Sequence, residues 1–162
     1  MNARPADAAV IVGAEVSTFV HATEDEGKVE RAVLKALPGA VDRTGFRVQR
    51  LSGQYNDPIL MMTMRIRRKA AAKMFRHVVR SLSALDRQRL IDEAGDRVDG
   101  AGNLYLRLDK QSAYLGRAVL HEADPIRVKF RFRVPHGADP VTAVSASLAA
   151  VLDEARDLDQ VS

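Results

Sequence analysis

The chain has 162 residues, of which 46% are hydrophobic and 28% charged. At that length a single domain buries a sizeable core without a metal or disulfide staple. It contains no cysteine and no tryptophan, and 5% of its residues are aromatic. That excludes disulfide frameworks, thiolate zinc sites and cysteine nucleophiles, and it argues against a large aromatic ligand cage. No run approaches the roughly 18 apolar residues of a membrane span. Met1 to Asp7 lacks the basic and apolar regions of a signal peptide, so a cytoplasmic protein is expected.

Net charge is only +4, but it is unevenly placed. Pro58 to Leu85 carries Arg65, Arg67, Arg68, Lys69, Lys73, Arg76 and Arg80 with no acid. Ile126 to Val134 carries four more cations and no acid, whereas the stretch after Gly137 is acidic. Most of the cations are arginine, whose planar fork matches phosphate. Segregated charge of this kind points to an anionic partner.

In chain order, Val10 to Val20 alternates as a half-buried strand, with Val10, Val12, Ala14, Val16, Thr18 and Val20 on one parity. Thr23 and Glu26 then fit a capping box opening a helix that Pro38-Gly39 stops. Phe46 to Leu51 and Ile59 to Ile66 read as a hairpin across a turn at Ser52 to Pro58. The second of these, apolar on both faces, reads as a central strand. A helix follows from about Arg67 to Leu82, and Ser83 with Asp86 caps another that reaches Ala94 and stops at Gly95. Leu104, Leu106 and Leu108 mark a fourth strand, Lys110 to Gly116 a single helical turn, Arg117 to Glu122 a fifth strand and Ile126 to Val134 a sixth. A last helix at about 140–158 starts at Pro140 behind Asp139, with Val144, Leu148, Val151, Leu152 and Ala155 as its stripe. Strands grouped between helices predict one α+β domain over residues 1–162, a largely antiparallel sheet of about six strands with helices packed on one face.

The sixth strand carries the sharpest signal. Ile126, Val128, Phe130, Phe132 and Val134 take one face; Arg127, Lys129, Arg131 and Arg133 take the other. The bland explanation is an exposed face whose charges guard against aggregation. On the helix after the third strand, Lys69, Lys73, Arg76 and Arg80 fall within an arc of about 60°, opposite the apolar face. Like charges at i and i+4 repel there, a cost that phosphates would remove and that acids elsewhere in the fold would also offset. Around the fourth strand, Arg107, Lys110, Gln111, Ser112 and Tyr114 offer phosphate or base contacts, with Arg117 just beyond. Tyr105 and Tyr114 could stack on an unpaired base, and Tyr114 fits a half-buried core position equally well.

Enzyme signatures are missing from the sequence. His21, His77, His121 and His136 lack ligand spacing, no nucleophile elbow or phosphate-binding loop occurs, and Gly100-Ala-Gly102 precedes a strand. Glu24, Asp25 and Glu26 suit a helix dipole, and Asp109 beside Lys110 reads as a turn acid before it reads as a catalytic pair. No catalytic residue, metal or cofactor is assigned.

Three segments, Val16 to Asp25, Ser52 to Ile59 and Gly102 to Gly116, resemble an archaeal RNA-binding domain family whose members are often labelled predicted exosome-associated proteins. The likeness spans roughly residues 8 to 135. It implies an α+β fold similar to the large-subunit ribosomal protein that contacts 5S rRNA, and cytoplasmic RNA work without catalysis. It carries over no base-reading residue. The expectation is a non-catalytic protein holding the phosphates of structured RNA through its basic strand and helix faces, in RNA processing or ribosome-related assembly. A protein–protein module is the alternative, either a scaffold for an acidic partner or a homodimer in which the acidic last helix docks on a second copy's basic face.

Overall fold

The computed structural model describes residues 8–38, 45–53 and 57–161. Gly39, Asn56 and the side chain of Ala155, which figure in the sequence reading, lie outside the described positions. Strand β1 (Val10–Val20) leads into helix α1 (Glu26–Ala36), then β2 (Phe46–Ser52), β3 (Pro58–Arg67), α2 (Arg68–Ser81), α3 (Ala84–Asp92) and the short α4 (Ala94–Arg97). After these come β4 (Asn103–Leu108), the short α5 (Lys110–Tyr114), β5 (Ile126–Arg133) and α6 (Pro140–Val161). The five strands form one sheet in the order β2-β3-β1-β5-β4, and every neighbouring pair is antiparallel. The fold is α+β.

Alternation decides which face the helices cover. Ala14, Val16, Met62, Met64, Ile66, Leu104, Leu106, Val128, Phe130 and Phe132 are buried and share one face by register. Phe75 of α2 meets Phe130 and Phe132 edge to face, with centroids 5.1 and 5.5 Å apart, so α2 lies beneath the sheet's centre. Helix α6 inserts Ala143, Val144, Leu148, Val151 and Leu152 into the same core. It is tied to the chain ahead of β1, where the Ala9 amide donates to Ala143 O and Ser147 Oγ donates to Ala9 O. The other sheet face carries no helix among the described residues.

Several expectations shift by a residue or an element. The cap of α1 is Asp25, which accepts from the Lys28 amide at 3.1 Å; Thr23 sits in the preceding turn. Strand β3 is interior as expected, lying between β1 and the edge strand β2, and β1 holds the middle of the sheet. A bulge between Ile11 and Gly13 turns Val10 outward opposite Arg133, so Val10 is 48% exposed despite its parity. Gly95 does not stop the chain but falls inside α4.

The expected strand at Arg117 to Glu122 reduces to an isolated bridge, Leu108 to Leu120, and the sheet has five strands where about six were expected. The Leu120 amide is claimed by the buried carboxylate of Asp86 at 3.0 Å, which draws the segment away from a regular ladder. It still covers the outer edge of β4, where the Asp109 amide donates to Val119 O and the His121 amide to Arg107 O. Gly102, at φ +87°, has no alternative: a Cβ there would sit 2.7 Å from Val134 Cγ2 and 3.1 Å from Phe132 O.

Candidate nucleic-acid interface

The helix-free face is built row by row from the strand register. One row reads Arg67, Gly13, Arg131 and Asn103 across β3, β1, β5 and β4. The next reads Arg65, Glu15, Lys129 and Tyr105. A third runs across all five strands as Arg47, Thr63, Ser17, Arg127 and Arg107. Arg133 extends the set beside Val10. Rows lie about 6.8 Å apart along the strands and neighbouring strands about 4.8 Å apart, so the cations form a lattice over the sheet face.

Against these cations the strands place one carboxylate on this face, Glu15. Arg127 lies over the Phe19 ring at 5.7 Å and Lys129 over the Tyr105 ring at 5.8 Å, so two aromatic side chains stand among the charges. Arg131 occupies the space above Gly13, where a Cβ would come within 2.6 Å of its Nη2. The missing side chain gives that guanidinium its path across β1.

At the β4 rim the charges are already partnered. Glu122 accepts from Arg107 at 3.1 Å and also reaches the buried Arg97, which is held by Glu93 at 2.6 Å. Those contacts pull the Glu93 carboxyl below its ordinary range, the Arg97 hydrogen bond contributing most.

The second expected stripe stands elsewhere. Lys69, Lys73, Arg76 and Arg80 are exposed on α2, but α2 packs its other side against the covered face of the sheet. The two stripes therefore face opposite ways and do not make one surface. Arg80 is paired with Glu154 of α6 at 3.0 Å, so an acid elsewhere in the fold offsets part of that charge. Arg65 and Arg67 belong to the sheet face, and Arg68 opens α2 at the junction.

The remaining candidates scatter. Lys110 is nearly buried and donates to Phe19 O, to Glu24 and to Asp124, the carboxylates lying 3.2 and 3.0 Å away. It is an internal clamp. His21 Nε2 lies 2.9 Å from Asp124, and His21, Glu24 and Asp124 have the mutual spacing of metal ligands. The Lys110 ammonium already supplies the cation that these groups would bind. Partial burial pushes the Asp124 carboxyl up, yet hydrogen bonds from His21 and Lys110 outweigh it and hold the group below its ordinary range. Asp109 is the cap of α5, accepting from Ser112 N and Oγ at 3.0 and 2.6 Å, which leaves no catalytic pair with Lys110. Tyr114 is exposed beneath Lys35 of α1, away from Tyr105, and Arg117 is exposed in the segment along β4.

Sequence reasoning passed over Arg47, Glu15, Gln49 and Phe19. Each had a signal in the period-two alternation of its strand, but none stands in a run of like residues, and only the register of β2 and β1 brings them beside β5.

A one-layer antiparallel sheet backed by helices, its free face a lattice of arginine and lysine, defines an α+β protein with one strongly basic sheet face. The chain belongs to the family described as RNA binding, whose model matches residues 13–132. It is 34% identical over 122 residues to the RNA-binding protein PAB1135 of Pyrococcus abyssi, covering 73% of this chain and 79% of that one. It is equally 34% identical over 125 residues to the uncharacterized protein MJ0213 of Methanocaldococcus jannaschii, covering 74% and 83%. Among solved structures it is similar to Mth689, a DUF54 protein of Methanothermobacter thermautotrophicus, at 27% identity and a TM-score of 0.66, over 88% of this chain and 98% of that one. The relatives are archaeal. Among the described residues no helix is long and apolar enough to cross a membrane.

Proposed function

We propose that the chain is one non-catalytic RNA-binding domain whose open sheet face, centred on Arg127, Lys129, Arg131 and Arg133, holds the phosphates of structured RNA. The observation that carries this reading is the register itself: Arg65, Arg67, Arg47 and the four β5 cations share a helix-free surface on which the described strands place one carboxylate, Glu15. Sparse aromatics favour backbone and shape contacts over extensive base stacking. A role in RNA processing or ribosome-related assembly, in the cytoplasm and beside RNA-processing proteins, rests on the family resemblance. The alternative is a protein–protein module, in which the acidic surface of α6, with Asp153 and Glu154 exposed, docks on a second copy's basic face while its apolar stripe stays in its own core.

The test is titration of a structured RNA at several salt concentrations. With about 4–6 phosphates neutralised, log K against log salt has a slope near −3 to −5. Arg131→Glu weakens binding by about tenfold at low salt, across unrelated RNAs, and flattens that slope. Unchanged affinity in this variant removes β5 from the interface.

A further inference from the structure

A hollow in the open face lies over β2, β3 and β1, lined by Glu15, Arg47, Gln49, Met61, Thr63 and Arg65. Its composition differs from the rest of the surface: a carboxylate, a carboxamide, a hydroxyl and a thioether line it together with two guanidinium groups. We propose that this hollow receives one unpaired guanine of the bound RNA, with the Glu15 carboxylate accepting from the base's Watson–Crick edge. The inference rests on the reading of this face as the RNA interface.

Glu15 carries the argument. An acid on a phosphate-binding face lowers affinity for every polyanion, so it needs a reason to be there. The simplest is relief of repulsion between Arg65 and Lys129, its cross-strand neighbours. Its place between them gives some of that relief, but the contact is loose. Arg65 Nε lies 3.9 Å from Glu15 Oε2, its side chain is 83% exposed, and no other ion pair of Glu15 occurs among the described residues. The carboxylate thus stays 40% exposed at the wall of the hollow, with its acceptor sites unspent.

Two parallel acceptors match two parallel donors. Guanine offers N1–H and N2–H side by side; cytosine offers one such donor, uracil a donor between two acceptors, and adenine an acceptor beside its donor. These edges are free only on an unpaired nucleotide. Arg65 stands across from the carboxylate and Arg47 lines the same hollow, donors for O6 and the adjoining phosphates, while the half-buried Met61 adds apolar surface further along it.

The experiment compares hairpin RNAs that differ in one bulged nucleotide, G, A, C or U, together with a fully paired hairpin, against the wild type and Glu15→Gln. The amide keeps the shape of the carboxylate but presents a donor in place of one acceptor. The expected result is a wild-type preference for the G bulge of about tenfold, abolished in Glu15→Gln, while the variant binds the fully paired hairpin as tightly as the wild type or slightly tighter. Uniformly tighter binding of all five RNAs by Glu15→Gln would identify Glu15 as a mere screening charge and overturn the inference. Absence of a G preference in the wild type overturns it too, while salt-dependent binding in the same titrations leaves the interface reading standing. If no hairpin binds in a salt-dependent way, both readings fall together.

Discussion

Asp99 shows how a single side chain shapes the open sheet face. Its carboxylate accepts from the amides of Ala101 and Asn103, from the Asn103 side chain and from the Tyr105 hydroxyl, each at 2.9–3.0 Å. It thereby folds the turn into β4 and holds the Tyr105 ring on the open face, under Lys129. Partial burial pushes this carboxyl up, but the hydrogen bonds outweigh burial and hold it at about 2. A carboxyl held lower in the folded chain than its ordinary 3.8 stabilises fully above that value, and the stabilisation disappears as pH falls through about 2. Asp99→Asn is therefore expected to lower stability by about 1 kcal/mol near neutral pH, a figure reduced for the solvent exposure of the site. In urea titrations the gap between variant and wild type narrows as pH drops from about 4 toward 2. A gap that stays constant with pH would show that the ionised carboxylate is not what organises the turn.

The elements show where local chemistry and packing disagree. Helix α6 lies outside the segment matched by the family and carries an acidic surface, features that suggest an appendage. Its stripe is nevertheless core: Leu148 is 2% exposed, and Val144 and Ala143 are each at 1%. Leu148→Ala is expected to cost about 2–5 kcal/mol and to lower the thermal midpoint, with RNA affinity unchanged below the transition. A midpoint within a degree of the wild type would show that α6 contributes no core. The hairpin of β2 and β3, helices α2 and α3 and the Asp139 start of α6 were legible because periodicity and caps are local signals. The Arg117 to Glu122 segment was not, because a distant carboxylate, Asp86, competes for the amide that a ladder needs. The bulge at β1 was also hidden: nothing in Val10 to Gly13 announces that two residues oppose one on β5.

At the scale of the whole molecule, the positions of the basic runs matter more than their number. Both runs are real surfaces, yet the sheet stands between them. If the open face is the interface, Arg76→Glu on α2 leaves RNA affinity within about twofold of the wild type, apart from a small long-range charge effect that salt removes, while Arg131→Glu does not. Equal losses in the two variants would return α2 to the site. The sequence by itself determined most of the elements, the α+β class and the alternation that sets four cations on one side of β5, because these follow from periodicity within a single segment. Only the tertiary structure decided which cations share a surface: strand order and register join Arg47, Arg65 and Arg67 to β5 and send the α2 stripe to the far side. The physical reason is that strand pairing links residues far apart in the chain, and a pattern read along one segment carries no record of its partner.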